Sequence, residues 1–237
     1  MTRRRWIADE VSGDMAALTG PHAEHLSRVL RVRIGQEFDI SIGNQVRRGT
    51  ISRVDDARVE FTLGESVPMA AAPCITLALS IFKFDRMEWA IEKCTELGVS
   101  RIVPVVASRT EKHLAAAAVK RVERWRRLAH QAAQQSRRAA PPEIAQPTKL
   151  DEAITLPGRM RILLSESETE TSLNDALQAG SSDDIILAVG PEGGWTENEI
   201  GLFRQAGWGS VTLGANILRA ETAAIAATAV VLAGLAS

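Results

Sequence analysis

Cysteine is scarce in this chain of 237 residues, which contains only Cys74 and Cys94. Two thiols cannot build the disulfide framework of small secreted domains, so the composition predicts a protein of the reducing cytoplasm. Long apolar runs are also missing: the longest, Ala223–Ala236, is too short to span a bilayer, and its alanines favour a closely packed helix. The basic start, Met1–Ile7, lacks the apolar run of a signal peptide. The sequence therefore predicts a soluble cytoplasmic protein that contacts no membrane.

The common glycine-rich nucleotide motifs are absent as well. The chain has neither the G-x-G-x-x-G spacing of a dinucleotide fold nor the Gly-Lys-Ser/Thr of a phosphate-binding P-loop. His22 and His25 are three residues apart, but no cysteine or third ligand follows at a metal-binding spacing. We therefore expect no metal ion and none of the usual glycine-rich nucleotide sites.

The charge is nearly balanced in total but unevenly distributed. The chain carries 28 basic and 29 acidic side chains, a formal net charge of −1. Residues 71–150 hold 14 basic and 7 acidic side chains, whereas residues 151–237 hold 4 and 12. A chain polarised in this way can present an electropositive face, so its near-neutral total does not exclude a nucleic-acid partner.

The first 70 residues are typical of a β-rich domain. A helix is expected over Pro21–Val29, before short runs of Ile, Val, Phe and Thr separated by turn residues. Two prolines within 67–73 mark a boundary, so we predict one domain over 1–70 and a second over 73–237. The strands predicted in the first domain are Glu37–Ile42, Gln45–Val54 and Arg58–Leu63.

The second domain alternates strands and helices, which predicts an α/β fold with a mostly parallel sheet. Asp85 with Glu88, and Thr196 with Glu199, each have the spacing of a helix-starting capping box. The expected strands are Ile75–Phe82, Val99–Val106, Arg161–Leu164, Ile185–Val189 and Val211–Leu213. The other expected helices are His113–Arg138 and Arg219–Leu235.

Two strand-to-helix turns carry the residues most suited to chemistry. Gly190–Trp195 has three glycines in five positions, which lets the backbone approach a ligand closely, although a plain turn is the alternative. Leu213–Ala223 has the same layout and places Arg219 and Glu221 at a helix entrance among aliphatic residues. Opposite charges among aliphatic residues are costly unless they pair with each other or take part in binding or catalysis. A salt bridge at the start of the helix, with Thr222 or Asn216 as the cap, explains the two charges as well as a functional role does.

Together these two segments resemble the signature of the RsmE family, the 16S ribosomal RNA uridine-N3 methyltransferases of the SPOUT class. Gly190–Gly194 matches its glycine motif and Leu213–Ala223 its second, longer motif. The resemblance extends in order over almost the whole chain. Its further segments are His25–Arg31 with Gly35, Lys83–Trp89, Glu96–Val99, Ser108–Thr110 and Gln135–Pro142.

The resemblance implies a trefoil-knotted domain of mostly parallel sheet with flanking helices, preceded by a small PUA-like β-barrel that helps to hold RNA. It also implies a homodimer, with S-adenosylmethionine bound among the loops of the knot. The cofactor-binding positions carried over in this way are Leu164, Ser165, Gly190, Pro191, Glu192, Gly193, Gly194, Leu213, Gly214, Ile217, Leu218 and Thr222.

The implied reaction transfers a methyl group to N3 of an unpaired uridine in 16S rRNA, on the small ribosomal subunit. Because N3 must lose a proton, negative charge gathers on the ring carbonyls, and a fixed cation can stabilise it. We expect Arg219 to be that cation, with Glu221 orienting it or relaying the proton. Two alternatives share this fold: a knotted methyltransferase for tRNA or 23S rRNA, and a non-catalytic ribosome-assembly factor that binds RNA.

RNA contacts are expected from basic side chains in both domains. Arg3 and Arg4 precede Trp6, which pairs phosphate binders with a stacking surface. Phe84, Gln134 and Arg137 depart from the family pattern and affect the expected shape of the RNA-facing loops, not the cofactor motifs. The residues predicted to bind RNA are Arg3, Arg4, Arg28, Arg31, Lys83, Arg86, Arg109 and Arg138.

Overall fold

The computed structural model describes residues 5–43, 45–68, 73–180 and 182–235. These residues divide into two compact units. The first contains the described residues up to Pro68 together with 133–141, and the second contains 73–132 and the described residues from 142 onward. The division expected from the sequence, with the boundary at 70–73, assigns residues 133–141 to the second domain, whereas in the structure they belong to the first unit.

The first unit is built on a mixed sheet, six-stranded in its described residues, in the order β1-β4-β5-β6-β3-β2. β1 and β4 are parallel, and the other neighbours are antiparallel. The three strands predicted from the sequence are confirmed as β4, β5 and β6, while β1 to β3 were not predicted. The bounds are β1 Arg5–Ile7, β2 Glu10–Ser12, β3 Met15–Thr19, β4 Glu37–Ile42, β5 Gln45–Asp55 and β6 Arg58–Ser66.

Register shifts bend this sheet around an apolar core. β5 slips against β6 between Arg47 and Gly49, and such bulges increase the local bend and twist of a strand. Leu26, Ile40 and Phe61 lie fully buried in the core. The expected helix over 21–29 forms as α1, Gly20–Glu24, continued by one π-helical segment, His25–Val29. The result is the barrel-like first half that the sequence predicted.

The second unit contains a parallel sheet in the order β10-β8-β7-β12-β11-β13, with β9 beside β8. Every described pair of neighbours in it is parallel. All five predicted strands are confirmed within a few residues, and β9 and β10 were not predicted. The bounds are β7 Cys74–Ser80, β8 Arg101–Val106, β9 Glu143–Ile144, β10 Thr148–Lys149, β11 Met160–Leu164, β12 Asp184–Val189 and β13 Gly209–Val211.

Apolar side chains cover both faces of this sheet, which confirms the predicted α/β class. Ile75, Leu77 and Leu79 of β7 point into one core and Ala78 into the other. Helices α2, α3, α5 and α7 contribute to the first core; α4 and α6 contribute to the second. The bounds are α2 Phe84–Leu97, α3 Lys112–Gln135, α4 Leu150–Ala153, α5 Leu173–Ala179, α6 Glu197–Gln205 and α7 Ala220–Leu235.

One predicted helix start is confirmed and one is wrong. The Thr196 hydroxyl accepts the Glu199 amide at 3.2 Å, and the Glu199 carboxylate accepts the Thr196 amide at 2.8 Å, which completes a capping box. For α2 the cap is instead Lys83, whose side chain makes no capping hydrogen bond. Asp85 lies inside the first turn of α2, two residues after the cap, so Asp85 and Glu88 have the spacing of a capping box but do not form one.

The parallel sheet brings several loops to one edge. β11, β12 and β13 end at Leu164, Val189 and Val211, and their parallel pairing places these carboxyl ends together. In open α/β sheets, ligands bind in the crevice outside such ends. Among the described residues, no helix is long and apolar enough to cross a bilayer.

Candidate functional site

A cavity of about 980 Å³ lies at this edge of the second unit. Its walls come chiefly from three loops, here called the acidic loop (Ser165–Thr169), the glycine loop (Gly190–Trp195) and the open loop (Thr212–Arg219). Lys83, Arg86 and Arg109 add basic side chains from elsewhere in the unit. The volume falls within the range of small-molecule sites.

The acidic loop follows β11 and contains a carboxylate, that of Glu168, whose charged form is stabilised by backbone amides. Ser165 is buried, and its hydroxyl lies 2.9 Å from that of Ser167. The Glu168 carboxylate accepts the backbone amides of Glu170 at 2.9 Å and Thr171 at 3.2 Å. These amide donors hold the pKa of Glu168 below its ordinary value, because they favour the charged form. The cavity therefore has a negatively charged side.

The glycine loop is packed tightly against its surroundings. Gly194 has a φ of +70°, a backbone conformation that favours glycine, and a Cβ on it would lie 2.6 Å from the Glu166 Oε1 atom, so the Glu166 side chain would have to move. Trp195 is 7% exposed, packs edge-on against Phe203, and donates from Nε1 to the Leu164 carbonyl at 3.0 Å. Trp195 thereby joins the glycine loop to the end of β11.

Arg109 holds the glycine loop from the loop that follows β8. Its Nη1 group donates to the Gly193 carbonyl and, at 3.3 Å, to the Trp195 carbonyl. A Cβ on Gly193 would lie 3.3 Å from the Arg109 Cδ atom, so the arginine covers the loop closely. Arg109 was predicted to bind RNA; in the structure its guanidinium contacts the backbone of the site.

Arg86 pairs with two carboxylates beside the cavity. Its Nη1 donates to the Glu192 Oε1 at 3.0 Å, and its Nε lies 3.8 Å from the Glu221 Oε1. Glu221 is only 3% exposed and does not line the cavity, whereas Arg219 is exposed and does. In the part of the chain that the structure describes, no hydrogen bond or ion pair joins Arg219 to Glu221. The expected orientation of Arg219 by Glu221 is therefore not present.

The open loop presents apolar side chains outward. Ile217 is 82% exposed and Leu218 36% exposed, so two neighbouring aliphatic side chains of the loop face solvent. Gly214 has a φ of +119°, and a Cβ added to it would meet no atom within 4 Å, so its conformation alone favours glycine. Among the described basic side chains of the cavity, Lys83 and Arg219 have no hydrogen-bond or ion-pair partner. Arg219 is thus a free cation at the cavity wall.

The structure brings most of the residues expected to bind a cofactor to this one cavity. All but two of them line it; Gly193 and Thr222 do not. Thr222 lies exposed in the first turn of α7, and the Gly193 carbonyl is turned to Arg109. Those in the lining are Leu164, Ser165, Gly190, Pro191, Glu192, Gly194, Leu213, Gly214, Ile217 and Leu218.

The residues expected to bind RNA belong to both units. Lys83, Arg86 and Arg109 lie at the cavity, while Arg3 and Arg4 fall outside the described residues. The remaining three belong to the first unit. Arg28 pairs with Asp56 at 3.1 Å, Arg31 is exposed, and partial burial holds the pKa of Arg138 below its ordinary value.

Sequence reasoning missed the acidic loop beyond Ser165. Glu166, Ser167, Glu168 and Thr169 all line the cavity. Their signal in the sequence is a run of short polar and acidic residues directly after a buried strand. Across the described residues, no group of three or more His, Cys, Asp or Glu side chains is placed to hold a metal ion.

Known proteins that resemble this chain include a family whose model matches the second unit. The model of a family described as the RNA methyltransferase domain matches residues 70–232. A curated relative from Synechocystis sp., ribosomal RNA small subunit methyltransferase E, is 33% identical over 225 residues, covering 93% of this chain and 73% of the relative.

Two solved structures resemble the whole chain. Ribosomal RNA small subunit methyltransferase E from Neisseria gonorrhoeae, bound to S-adenosylmethionine, has a TM-score of 0.81 at 31% identity, covering 96% of this chain and 95% of that one. A methyltransferase from Legionella pneumophila, also bound to S-adenosylmethionine, has a TM-score of 0.81 at 28% identity and covers 98% of both chains. The likeness therefore extends over both units.

Proposed function

Because the chain belongs to the ribosomal RNA small subunit methyltransferase E family, we propose that it methylates N3 of a uridine in 16S rRNA, using S-adenosylmethionine. The observation that carries this proposal is the cavity itself. It combines a glycine loop, an acidic wall and a free arginine, Arg219, at the carboxyl ends of β11, β12 and β13. This cavity suits S-adenosylmethionine, which is a cation, and a uracil ring that must lose its N3 proton.

The residues of the cavity fit S-adenosylmethionine in size and in kind. Gly190 and Gly194 line the cavity without side chains, so their backbone can lie close to a bound ligand. Leu213, Ile217 and Leu218 offer apolar walls, and the acidic loop offers carboxylates for a positively charged ligand. When bound, the cofactor supplies a methyl group on a positively charged sulfur.

Arg219 would act on the other reactant, the uridine. Departure of the N3 proton places negative charge on the uracil ring, chiefly on its carbonyl oxygens. A guanidinium held near those oxygens stabilises the charge as it develops, and Arg219 is not engaged by any described protein group. Lys83, whose side chain also has no described partner, adds positive potential at the cavity. Glu221 is buried beside Arg86, with 3.8 Å between the Arg86 Nε and the Glu221 Oε1 atoms, and has no described contact with Arg219.

The proposal extends to the substrate and the assembly. N3 lies on the pairing edge of uracil, so the uridine must be unpaired or flipped out of the RNA. We propose that the first unit is a PUA-like domain that holds 16S rRNA, with Arg28, Arg31 and Arg138 among its contacts, together with Arg3 and Arg4. We also propose a trefoil knot in the second domain, a homodimer and a cytoplasmic location, as the family resemblance implies.

The test compares modified bases in 16S rRNA from cells with and without this protein. We expect N3-methyluridine at one position to depend on the protein, and an unchanged level would refute the assignment. In purified enzyme, Arg219→Ala should lower methyl transfer to small subunits roughly 10²–10³-fold. Arg159→Ala, an exposed arginine of the same unit away from the cavity, is the matched control. Full activity of Arg219→Ala would contradict the role of Arg219.

A further inference from the structure

Arg86 connects two parts of the candidate site that are far apart in sequence. It lies in the first turn of α2, and one edge of its guanidinium donates to Glu192 of the glycine loop at 3.0 Å. Its Nε lies 3.8 Å from the carboxylate of Glu221, in the first turn of α7 directly after the open loop. One side chain therefore contacts the elements on both sides of the cavity.

Glu221 depends on this contact for its charge balance. Its side chain is 4% exposed, and the Oε2 atom is buried without a hydrogen-bond partner in the described structure. Arg86 is its one cationic partner within the described residues, because Arg219 makes no ion pair there. A buried carboxylate is costly unless a nearby cation compensates it, so loss of Arg86 would leave this charge isolated.

We propose that Arg86 is a positioning residue for the methyl-donor site, rather than an RNA contact. Its charge compensates Glu221 and fixes Glu192, so that the glycine loop and the start of α7 keep their spacing before any ligand binds. Two carboxylates already occupy the guanidinium, and the three groups together carry a net negative charge that does not attract phosphate. The inference rests on the proposed function, because it assigns the cavity to S-adenosylmethionine.

Lys93 provides a matched control on the same helix. It also pairs with two carboxylates, Glu92 at 2.7 Å and Glu96 at 2.8 Å, and it is 34% exposed against 32% for Arg86. Both of its partners lie on α2 itself, so Lys93 connects no loops. A variant at Lys93 removes a comparable cation and two comparable ion pairs without releasing the site.

The first experiment measures the Kd of S-adenosylmethionine by calorimetry without RNA, and then the KM for small ribosomal subunits. Arg86→Gln should weaken cofactor binding roughly tenfold or more, while Lys93→Gln should leave the Kd unchanged. If Arg86→Gln leaves the Kd unchanged, the proposal is wrong; a raised KM for subunits would then identify Arg86 as an RNA contact. Because the Kd is measured without RNA, this result does not depend on which nucleotide is methylated.

The second experiment separates positioning from general loss of folding. Removing the isolated charge in the double variant Arg86→Gln, Glu221→Gln should raise Tm and recover part of the cofactor affinity lost in Arg86→Gln alone. Arg86→Lys keeps the charge and should retain more affinity than Arg86→Gln. If Arg86→Gln does not fold, the cofactor affinities of the double variant and of Arg86→Lys are compared with that of the unchanged protein instead. Additive losses, with no recovery in the double variant, would overturn the proposal.

Discussion

The glycine loop and the open loop share one layout in sequence, a strand followed by a glycine turn and a helix, yet they differ in how they are held. In the glycine loop, Trp195 bonds to the end of β11, and Arg109 and Arg86 hold the loop from two other elements of the unit. The open loop leaves Ile217 82% exposed and Arg219 without a described partner. Equal patterns thus give one wall that is anchored by side chains from other elements and one that is anchored at its start, where the Thr212 amide donates to the Thr171 carbonyl at 2.9 Å.

Because of this difference, the two loops are expected to contribute to ligand binding in different ways. An anchored loop needs no reordering when a ligand arrives, so less conformational entropy is lost on binding. The open loop carries apolar surface that is favourable to bury, and it also carries the proposed catalytic cation, Arg219. We expect changes in the glycine loop to affect folding and cofactor binding together, and changes to the exposed side chains of the open loop to affect binding or catalysis with little effect on folding.

The largest expected effect comes from Trp195→Ala, which removes an anchor of the glycine loop. Trp195 is almost fully buried against Phe203 and holds the Leu164 carbonyl, so its loss leaves a cavity and an unpaired acceptor. We expect the free energy of unfolding to fall by about 3–5 kcal/mol in urea denaturation. Trp89→Ala, at a tryptophan that is 49% exposed on α2, is the control. Equal losses in the two variants would contradict the anchoring role.

A smaller effect is expected when alanine replaces the positive-φ glycine of each loop. Gly194→Ala and Gly214→Ala should each cost about 1–2 kcal/mol of unfolding free energy, because both residues have left-handed backbone conformations. Only at Gly194 does the added Cβ meet Glu166, at 2.6 Å, whereas nothing lies within 4 Å at Gly214. Calorimetry should therefore show weaker S-adenosylmethionine binding for Gly194→Ala than for Gly214→Ala. The reverse order would mean that the open loop is the more constrained wall.

The anchoring of one wall is also what the sequence could not predict. The capping box of Thr196 and Glu199 spans three residues, so local spacing was sufficient to find it. The contact of Arg86 with Glu192 spans 106 residues, and that of Arg109 with Gly193 spans 84. Such pairings depend on strand order, which hydrophobic periodicity does not specify. Arg86 and Arg109 were predicted from the sequence as RNA contacts, and their contacts with the glycine loop were not predicted.

The strands of the first unit show a second limit of sequence reasoning. β4, β5 and β6 carry enough buried apolar residues to be recognised, and their bounds are close to those predicted. β2 is exposed at all three of its positions, and β1 has only three residues, so neither shows a hydrophobic alternation. These strands form because β3 and β4 offer free edges to pair with, a tertiary cause rather than a local one.

The smallest expected effect on stability belongs to Ile217→Ser in the open loop. Since Ile217 is 82% exposed, the free energy of unfolding should change by less than about 0.5 kcal/mol. If S-adenosylmethionine buries this side chain, its loss should still weaken cofactor binding roughly tenfold, because burying an isoleucine contributes about 1.5–3 kcal/mol. Ile34→Ser makes the same change at a site 70% exposed in the first unit, and it should alter neither quantity. An Ile217→Ser protein that binds the cofactor as tightly as the original would show that the Ile217 side chain takes no part in holding the cofactor, so that Leu213 and Leu218 alone would form the apolar wall of the open loop.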